Sequence, residues 1–486
     1  MRYFIGIDLG TSSVKSLLMS ETGDVIGIAQ REYDILKANT SWAEQDMDSL
    51  WLKTCETLQE LTGKFKHNIA GIGYSGQMHG LVMLDRDNHP IRRAIIWADQ
   101  RSGNEIEFIS RVIPDYRNIT FNSLSTGFLA ASLIWVREHE PDNYSKIAHV
   151  MLPKDYIRFK MSGELGTDLS DASGTGIFDM QRRNWSTGMI RELELDPKIF
   201  ASVHDSCEIA GQVNKECSDL TGLPEGVNLV YGGGDTLVQT IGNGVTDLTK
   251  SLISNIGTAS QLLCPVNQPL HDKEFRTNTF CHVVKNQWLL MGANLNGGVA
   301  LKWLKNILEA PDYNYMTDLA LQSEPGAKNL LFLPYLNGER TPYNDPEARG
   351  VFLGLSLVHS RKELIRSVME GIIFSQRETL EIFSQIGLKF SRVIASGGGA
   401  KSEAFKSIIA STLKCEVLTN SITEQGCIGA AILAAVGTGT FSSIHEACNT
   451  IVKFDERVTY PDKDLTKRYD ELFARFHRIY PATKGI

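Results

Sequence analysis

The feature that most restricts how this chain can fold is a device used twice. Residues Ile5 to Met19, "IGIDLGTSSVKSLLM", and Ser251 to Pro265, "SLISNIGTASQLLCP", each set a Gly-Thr turn between two apolar runs. In the first, Ile5, Ile7 and Leu9 alternate and Gly10 permits a tight reversal, so the spacing predicts a β-hairpin with a polar tip. A chain whose halves both begin this way is expected to fold as two α/β units of similar design that face one another. With 486 residues and a prior of about 150 residues per domain, two large domains or three small ones fit, with room for a deep cleft between them.

Composition removes several classes. Hydrophobic residues make up 42% and charged residues 22%, the balance of a globular protein rather than a disordered one. The longest apolar stretches, such as Ala430 to Val436, are too short to span a bilayer. Asp8 interrupts the first apolar run before it reaches the length of a secretory h-region, so the expected location is the cytoplasm, with no membrane partner. Eight cysteines without Cys-x-x-Cys spacing argue for buried free thiols rather than zinc or disulfides. A formal net charge of -8 without a basic stripe leaves no footprint for nucleic acid.

Along the chain, Leu50, Thr54, Leu58 and Leu61 recur at helical spacing within 45–64. Ile69 to Tyr74 and Leu81 to Leu84 read as short strands around Ser75-Gly76-Gln77-Met78-His79-Gly80. From Trp97 to about Gly226 the pattern is mixed, with Leu124 to Glu138 partly helical. Val227 to Tyr231 then reads as a strand, Gly232 to Gly234 as a turn, and Asp235 as the start of a helix. Val393 to Ala395 forms another strand ending in Ser396-Gly397-Gly398-Gly399-Ala400, with Phe405, Ile408, Ile409 and Leu413 marking the helix that follows. Leu364, Val368, Ile372 and Phe383 trace a long buried helix, and Leu465 to Tyr480 an amphipathic tail expected to dock.

Several of these residues suit phosphate chemistry. The N–H groups and hydroxyls of Thr11, Ser12 and Ser13 match phosphate oxygens, and Asp8 at the strand end suits a metal ion or its water shell. Gly257 and Thr258 in the second turn would grip the same triphosphate from the opposite side, while Gly397 to Ala400 let backbone approach the nucleotide. No Gly-x-x-x-x-Gly-Lys-Ser/Thr pattern occurs, which excludes a P-loop. Asp235, after three glycines, is the candidate to accept a hydroxyl proton, held ionised by the helix dipole and by N–H contacts; an ordinary N-cap is the other reading. Gln77 and His79 suit vicinal sugar hydroxyls and Met78 an adaptable wall, unless the segment is a plain surface loop. Trp97, Asp99 and Arg101 belong either to that pocket or to an ion pair on a folded loop.

Taken together, "IGIDLGTSSVK", "SNIGTAS", "ASGGGAKSEAF" and Gly350 to Glu370, "GVFLGLSLVHSRKELIRSVME", resemble the motifs of the FGGY carbohydrate kinases nearly end to end. "SGQMHG" and "LPYLNGERTP" point to the branch that acts on D-xylulose. The resemblance implies an actin-like, ribonuclease-H-type fold in each half. It divides the chain into a sugar-binding domain with the base at 1–245 and an adenine-nucleotide domain at 246–486. It further implies ATP and sugar in the cleft, Mg²⁺ beside Asp8, Asp235 as base, and Met78 and His79 on the sugar. The expected reaction is transfer of phosphate from ATP to the terminal hydroxyl of a ketopentose, D-xylulose first. Other ketoses, polyols or sugar acids remain alternatives, as does a non-sugar actin-like ATPase, and a homodimer is left open. Three positions depart from the family pattern: Ser132 replaces a lysine, Ala259 in "GTAS" stands where serine is frequent, and Thr236 replaces the asparagine usual after the base, which puts the acceptor's identity in question.

Overall fold

The computed structural model describes residues 1–64, 68–246 and 250–485. In the first half, strands β1 (Tyr3–Leu9), β2 (Ser13–Ser20) and β3 (Val25–Glu32) form an antiparallel meander covered by helix α1 (Met47–Lys64). Strand β4 (Ile69–Gly76) lies parallel to β1. After a long insertion come β5 (Ile209–Gln212) and β6 (Asn228–Val230), the latter parallel to β4, and then helix α2 (Asp235–Gly242). The sheet order is β5-β6-β4-β1-β2-β3.

The second half repeats the plan. Its strands are β7 (Ser251–Ile256), β8 (Ser260–Val266), β9 (Asn278–Cys281) and β10 (Trp288–Asn294). Helix α3 (Arg361–Gln385) precedes β11 (Arg392–Gly397), helix α4 (Glu403–Leu413), strand β12 (Glu416–Thr419) and helix α5 (Gln425–Gly437). The sheet order is β9-β10-β8-β7-β11-β12, with β11 and β12 parallel to β7. Each half therefore carries a first hairpin, a third antiparallel strand beyond it, and two parallel strands on its other side. That shared order is the actin-like, ribonuclease-H-like architecture.

The long insertion owes its weak pattern to its own core. Helix Leu129–His139 is buried on every side from Leu129 to Val136, so no polar face marks its period. Ser132 sits fully inside this core, where a lysine would have to bury its charge. The tail docks as expected, with Tyr469, Leu472, Phe473 and Phe476 of helix Lys463–Phe476 in the second half's core.

Helix α5 joins the halves. Its "QGCIGAAILAAVG" is apolar all round, and it lies with α2 in one core that takes Phe4 and Leu17 from the first sheet and Ile253, Leu263 and Ile394 from the second. Close approach needs glycine: a Cβ on Gly6 of β1 would stand 1.8 Å from the Cys427 carbonyl oxygen. An alanine there overpacks the seam, at about 1–3 kcal/mol in urea unfolding.

Candidate active site

Two recesses open along the line where the halves meet. The larger, with ≈ 1350 Å³ of empty space open to solvent, is lined by Asp8 and Lys15 from the first hairpin, Asn255 from the second, and Gly397, Gly398 and Ala400 from the turn after β11. Gly397 has φ 73, and a Cβ on it would meet Asn255 Oδ1 at 2.6 Å, so only glycine closes this turn without strain. Gly398 faces open space, with nothing nearer than 3.8 Å to a built Cβ, whereas Gly399 is buried against Ile256 and does not face the recess. Thr11, Ser12, Gly257 and Thr258 do not line this recess; they stand on the partly or fully exposed tips of their hairpins.

Asp8 is half-buried beside the start of α5. Ser75 Oγ donates to its Oδ1 at 2.6 Å, and burial raises its affinity for a proton against the opposing pull of Ser75 and Lys15. A Cβ on Gly426 would meet Asp8 Oδ2 at 2.6 Å, so the glycine leaves the carboxylate an open flank. Lys15 Nζ reaches Glu424 Oε2 at 2.7 Å, an ion pair that links β2 to the segment leading into α5. The N-terminus of α5 thus opens on this recess, which favours anions. No cluster of three or more His, Cys, Asp or Glu side chains fit to hold a metal occurs among the described residues. Asp8, a carboxylate with an open flank and with Asp235 near enough for their charges to interact, is nevertheless a donor that suits Mg²⁺, which keeps several waters and relies on substrate phosphates for the rest of its shell.

Asp235 heads α2, with Gly234 as N-cap, and its Oδ1 accepts from the Thr236 N–H at 2.5 Å and from Thr236 Oγ1 at 3.1 Å. These contacts do not keep it firmly ionised, contrary to expectation. Burial in the cleft, with the nearby charge of Asp8 adding, outweighs both bonds and pushes its pKa up to about 7. Thr236 spends its hydroxyl on Asp235, so it orients that carboxylate.

The smaller recess is lined by His79 and Phe128 of the first half and by Phe280, Met291 and Arg340 of the second. Met78 is packed so closely on Gly234 that a Cβ there would meet its Cγ at 2.7 Å. The next residue, His79, is held in a left-handed conformation at φ 77, stacked on Phe128 with ring centroids 4.2 Å apart. Its Nδ1 lies 2.6 Å from the Gly174 carbonyl, which only accepts; the ring therefore carries its proton on Nδ1 and leaves Nε2 as an acceptor. Burial lowers its pKa to about 4, with Arg340 adding to the effect, so it is neutral at physiological pH. Gln77 is buried too, and its Nε2 donates to Gln45, whose own Nε2 donates to the Thr11 carbonyl. Gln77 thus braces the first hairpin tip. The segment is no surface loop.

Trp97 is 45% exposed, and its indole N–H donates to Thr11 Oγ1 at 2.9 Å. Asp99 and Arg101 form a buried ion pair that also engages Glu44, with Arg101 stacked on Trp42, so of the alternatives for these two the ion pair holds.

Sequence reasoning missed the support behind the site. Lys154, fully buried, contacts Asp155 at 2.7 Å, Asp168 at 2.8 Å and Asp171 at 3.4 Å. Asp168 accepts from Ser170 Oγ, and Ser170 Oγ in turn accepts the Gly234 N–H at 3.0 Å, so this cluster pins the turn before Asp235. Burial, reinforced by Asp168 and Asp155 and opposed by Lys154, drives the Asp171 pKa well up. The motif "DLSDASGT" (168–175) carried a cue, since an aspartate two and three residues before a serine and an aspartate suits a capped helical turn.

A duplicated sheet, two helices packed in one core between the halves and two recesses along their seam define an actin-like two-domain ATPase fold. The comparisons make this specific. The FGGY carbohydrate kinase N-terminal domain model matches residues 3–242 and the C-terminal domain model residues 252–438. The chain is 36% identical over 485 residues to the xylulose kinase of Staphylococcus xylosus, covering 99% of this chain and 100% of that protein. Ligand-bound xylulose kinase from Lactobacillus acidophilus superposes with a TM-score of 0.95 at 26% identity, covering 100% and 99% of the two chains. Gluconate kinase from Lactobacillus acidophilus does so at 0.94 and 26%, covering 99% and 98%. The chain belongs to the FGGY family of carbohydrate kinases, enzymes that use ATP as co-substrate.

Proposed function

We propose that the protein transfers the γ-phosphate of ATP to the terminal hydroxyl of D-xylulose, giving D-xylulose 5-phosphate. The observation that carries this reading is the position of Asp235, near enough to Asp8 of the larger recess for the two charges to interact and next to Gly234, on which Met78 packs, with a pKa of about 7. A carboxylate so tuned takes a proton from a hydroxyl at neutral pH and releases it again. Thr236 and the Gly234 turn aim it, and Met78 forms the wall along which the sugar lies. In the larger recess Gly397, Gly398 and Ala400 admit the nucleotide, and the α5 N-terminus and Lys15 draw its phosphates towards Asp8. The tips at Thr11, Ser12, Gly257 and Thr258 close on the triphosphate only if the halves move together, which also excludes water. Asp8 is the residue suited to hold Mg²⁺, and the ion when bound supplies positive charge against the phosphate oxygens. A cytoplasmic setting belongs to the same reading.

The sequence-wide identity to the Staphylococcus xylosus enzyme supports D-xylulose as the acceptor. The likeness to gluconate kinase, at the same 26% identity as the xylulose kinase of Lactobacillus acidophilus, favours a sugar acid as the second reading. Coupled assay of ADP release over ketopentoses, xylitol and gluconate separates them. The highest kcat/KM is expected on D-xylulose; a higher value on gluconate replaces it. Asp235→Ala is expected to abolish sugar-dependent ADP release while retaining nucleotide affinity, and retained turnover removes Asp235 from the role of base.

A further inference from the structure

Arg340 belongs to "LPYLNGERTP", a motif that the phosphoryl-transfer machinery leaves unused. It comes from the second half, yet lines the smaller recess together with His79 and Phe128 of the first. Among the described residues no hydrogen bond or ion pair reaches its guanidinium. The other cation there, Arg276, is neutralised by Asp272, through Nη2 to Oδ1 at 2.7 Å and Nε to Oδ2 at 2.9 Å. Among the described residues no carboxylate lines the recess; the carboxylate whose charge acts on Arg340 is its neighbour Glu339, outside that lining, so the guanidinium faces the recess without an ion-pair partner. Its backbone is built to stay put: Glu339 Oε1 accepts from the N–H of Leu295 at 2.7 Å and of Arg340 at 2.8 Å, and Thr341 Oγ1 donates to the Arg276 carbonyl at 2.9 Å.

Taking the proposed reaction as the frame, with the transferred hydroxyl at Asp235, the far end of a ketopentose runs along Met78 into this recess. There two groups of opposite habit meet. Arg340 only donates, and the Nε2 of neutral His79 only accepts. A ketone oxygen only accepts, and the neighbouring hydroxyl has a proton to give. We propose that Arg340 is a specificity residue that binds the ketone oxygen of the acceptor while His79 Nε2 takes the adjacent hydroxyl, so that the pair reads an α-hydroxy ketone.

The test compares Arg340→Ala and Arg340→Lys with wild type in steady-state kinetics, after urea unfolding has shown equal midpoints. Arg340→Ala is expected to raise KM for D-xylulose about 10- to 100-fold, the worth of a hydrogen bond to a charged group, with kcat and KM for ATP little changed. Arg340→Lys is expected to recover part of that loss. Xylitol, which has a hydroxyl in place of the ketone, serves as a competitor, and its inhibition constant is expected to change less than KM for the ketose. An unchanged KM in Arg340→Ala, or an equal change for xylitol, overturns the assignment. Wild type that prefers another acceptor overturns the D-xylulose reading instead, and the same pair of enzymes measured on that acceptor still decides Arg340. If Arg340→Ala unfolds more easily, Arg340→Lys with a normal midpoint and wild-type KM overturns it.

Discussion

The two sheets place different chemistry at the same address. Asp8 is the next-to-last residue of β1, faces Lys15 across the hairpin and Ser75 across the parallel pair. Asn255 is the next-to-last residue of β7, with Gln261 and Ser396 in the corresponding places. Both line the larger recess. One copy of the scaffold thus carries a carboxylate and an ammonium group; the other carries two neutral amides, joined Nδ2 to Oε1 at 3.4 Å. Duplication supplies two strand ends converging on one space, and only the end with the carboxylate could hold a cation against phosphate charge, as the proposed reaction requires. The sharpest way to break this comparison is to remove both side chains in turn. Asp8→Ala is expected to lower kcat by about 10²–10³-fold, the scale of a lost electrostatic contact to the transition state. Asn255→Ala is expected to act mainly on KM for ATP and by less than about tenfold, as for one neutral hydrogen bond. Comparable losses of kcat in steady-state assays would mean that the halves share the chemistry.

The scaffold was largely legible in the sequence because its signals are local. Alternating Ile5, Ile7 and Leu9, the repeated Gly-Thr turn and the glycine run before Asp235 each specify a few neighbouring dihedral angles. What escaped depends on partners distant in the chain. Arg340 meets His79, Lys154 meets Asp168, and Glu424 meets Lys15 only after both sheets have formed, and no periodicity announces such pairs. Helix α5 was hidden for a different reason: its apolar surface is continuous, so the period that reveals an amphipathic helix is missing. The pKa of Asp235 was misjudged because the helix start and its N–H contacts are local, whereas the burial and the Asp8 charge that override them are not.

A glycine pair sharpens the same contrast with a smaller effect. Gly426→Ala places a methyl group 2.6 Å from Asp8 Oδ2. Displacement of that carboxylate is expected to cost roughly tenfold or more in kcat, in line with the sensitivity of phosphoryl transfer to misplacement. Gly398→Ala, whose methyl has 3.8 Å of clearance, is expected to leave kcat unchanged. Equal behaviour of the two variants would show that the recess near Asp8 tolerates rearrangement.

Electrostatic coupling between the halves of the site predicts a shift rather than a loss. The acid limb of kcat/KM for the sugar is expected near pH 7, because Asp235 must be ionised in the free enzyme to accept a proton. Asp8 contributes to that raised value, so Asp8→Asn is expected to move the limb to lower pH in whatever activity remains. A limb that stays in place would mean that burial alone sets the Asp235 pKa.

The smallest effect is one of stability, and it separates tuning for function from tuning for folding. Asp235 has a folded-state pKa of about 7 against 3.8 for an ordinary aspartate. Its ionised form is therefore disfavoured in the folded protein relative to the unfolded chain. Below the unfolded value the group is protonated in both states and costs nothing; as pH rises from there towards 7 the unfolded chain ionises first, and the penalty grows until it levels off. Asp235→Asn removes the charge and is expected to melt above wild type at pH 8, with the gap closing as pH falls towards 4. Asn255, neutral already, gives no such trend when changed to Ala. A pH-independent gap for Asp235→Asn would show that the gain comes from packing or hydrogen bonding of the amide. A closing gap would show that this carboxylate is held at a cost to folding, as expected of a group placed for proton transfer rather than for stability.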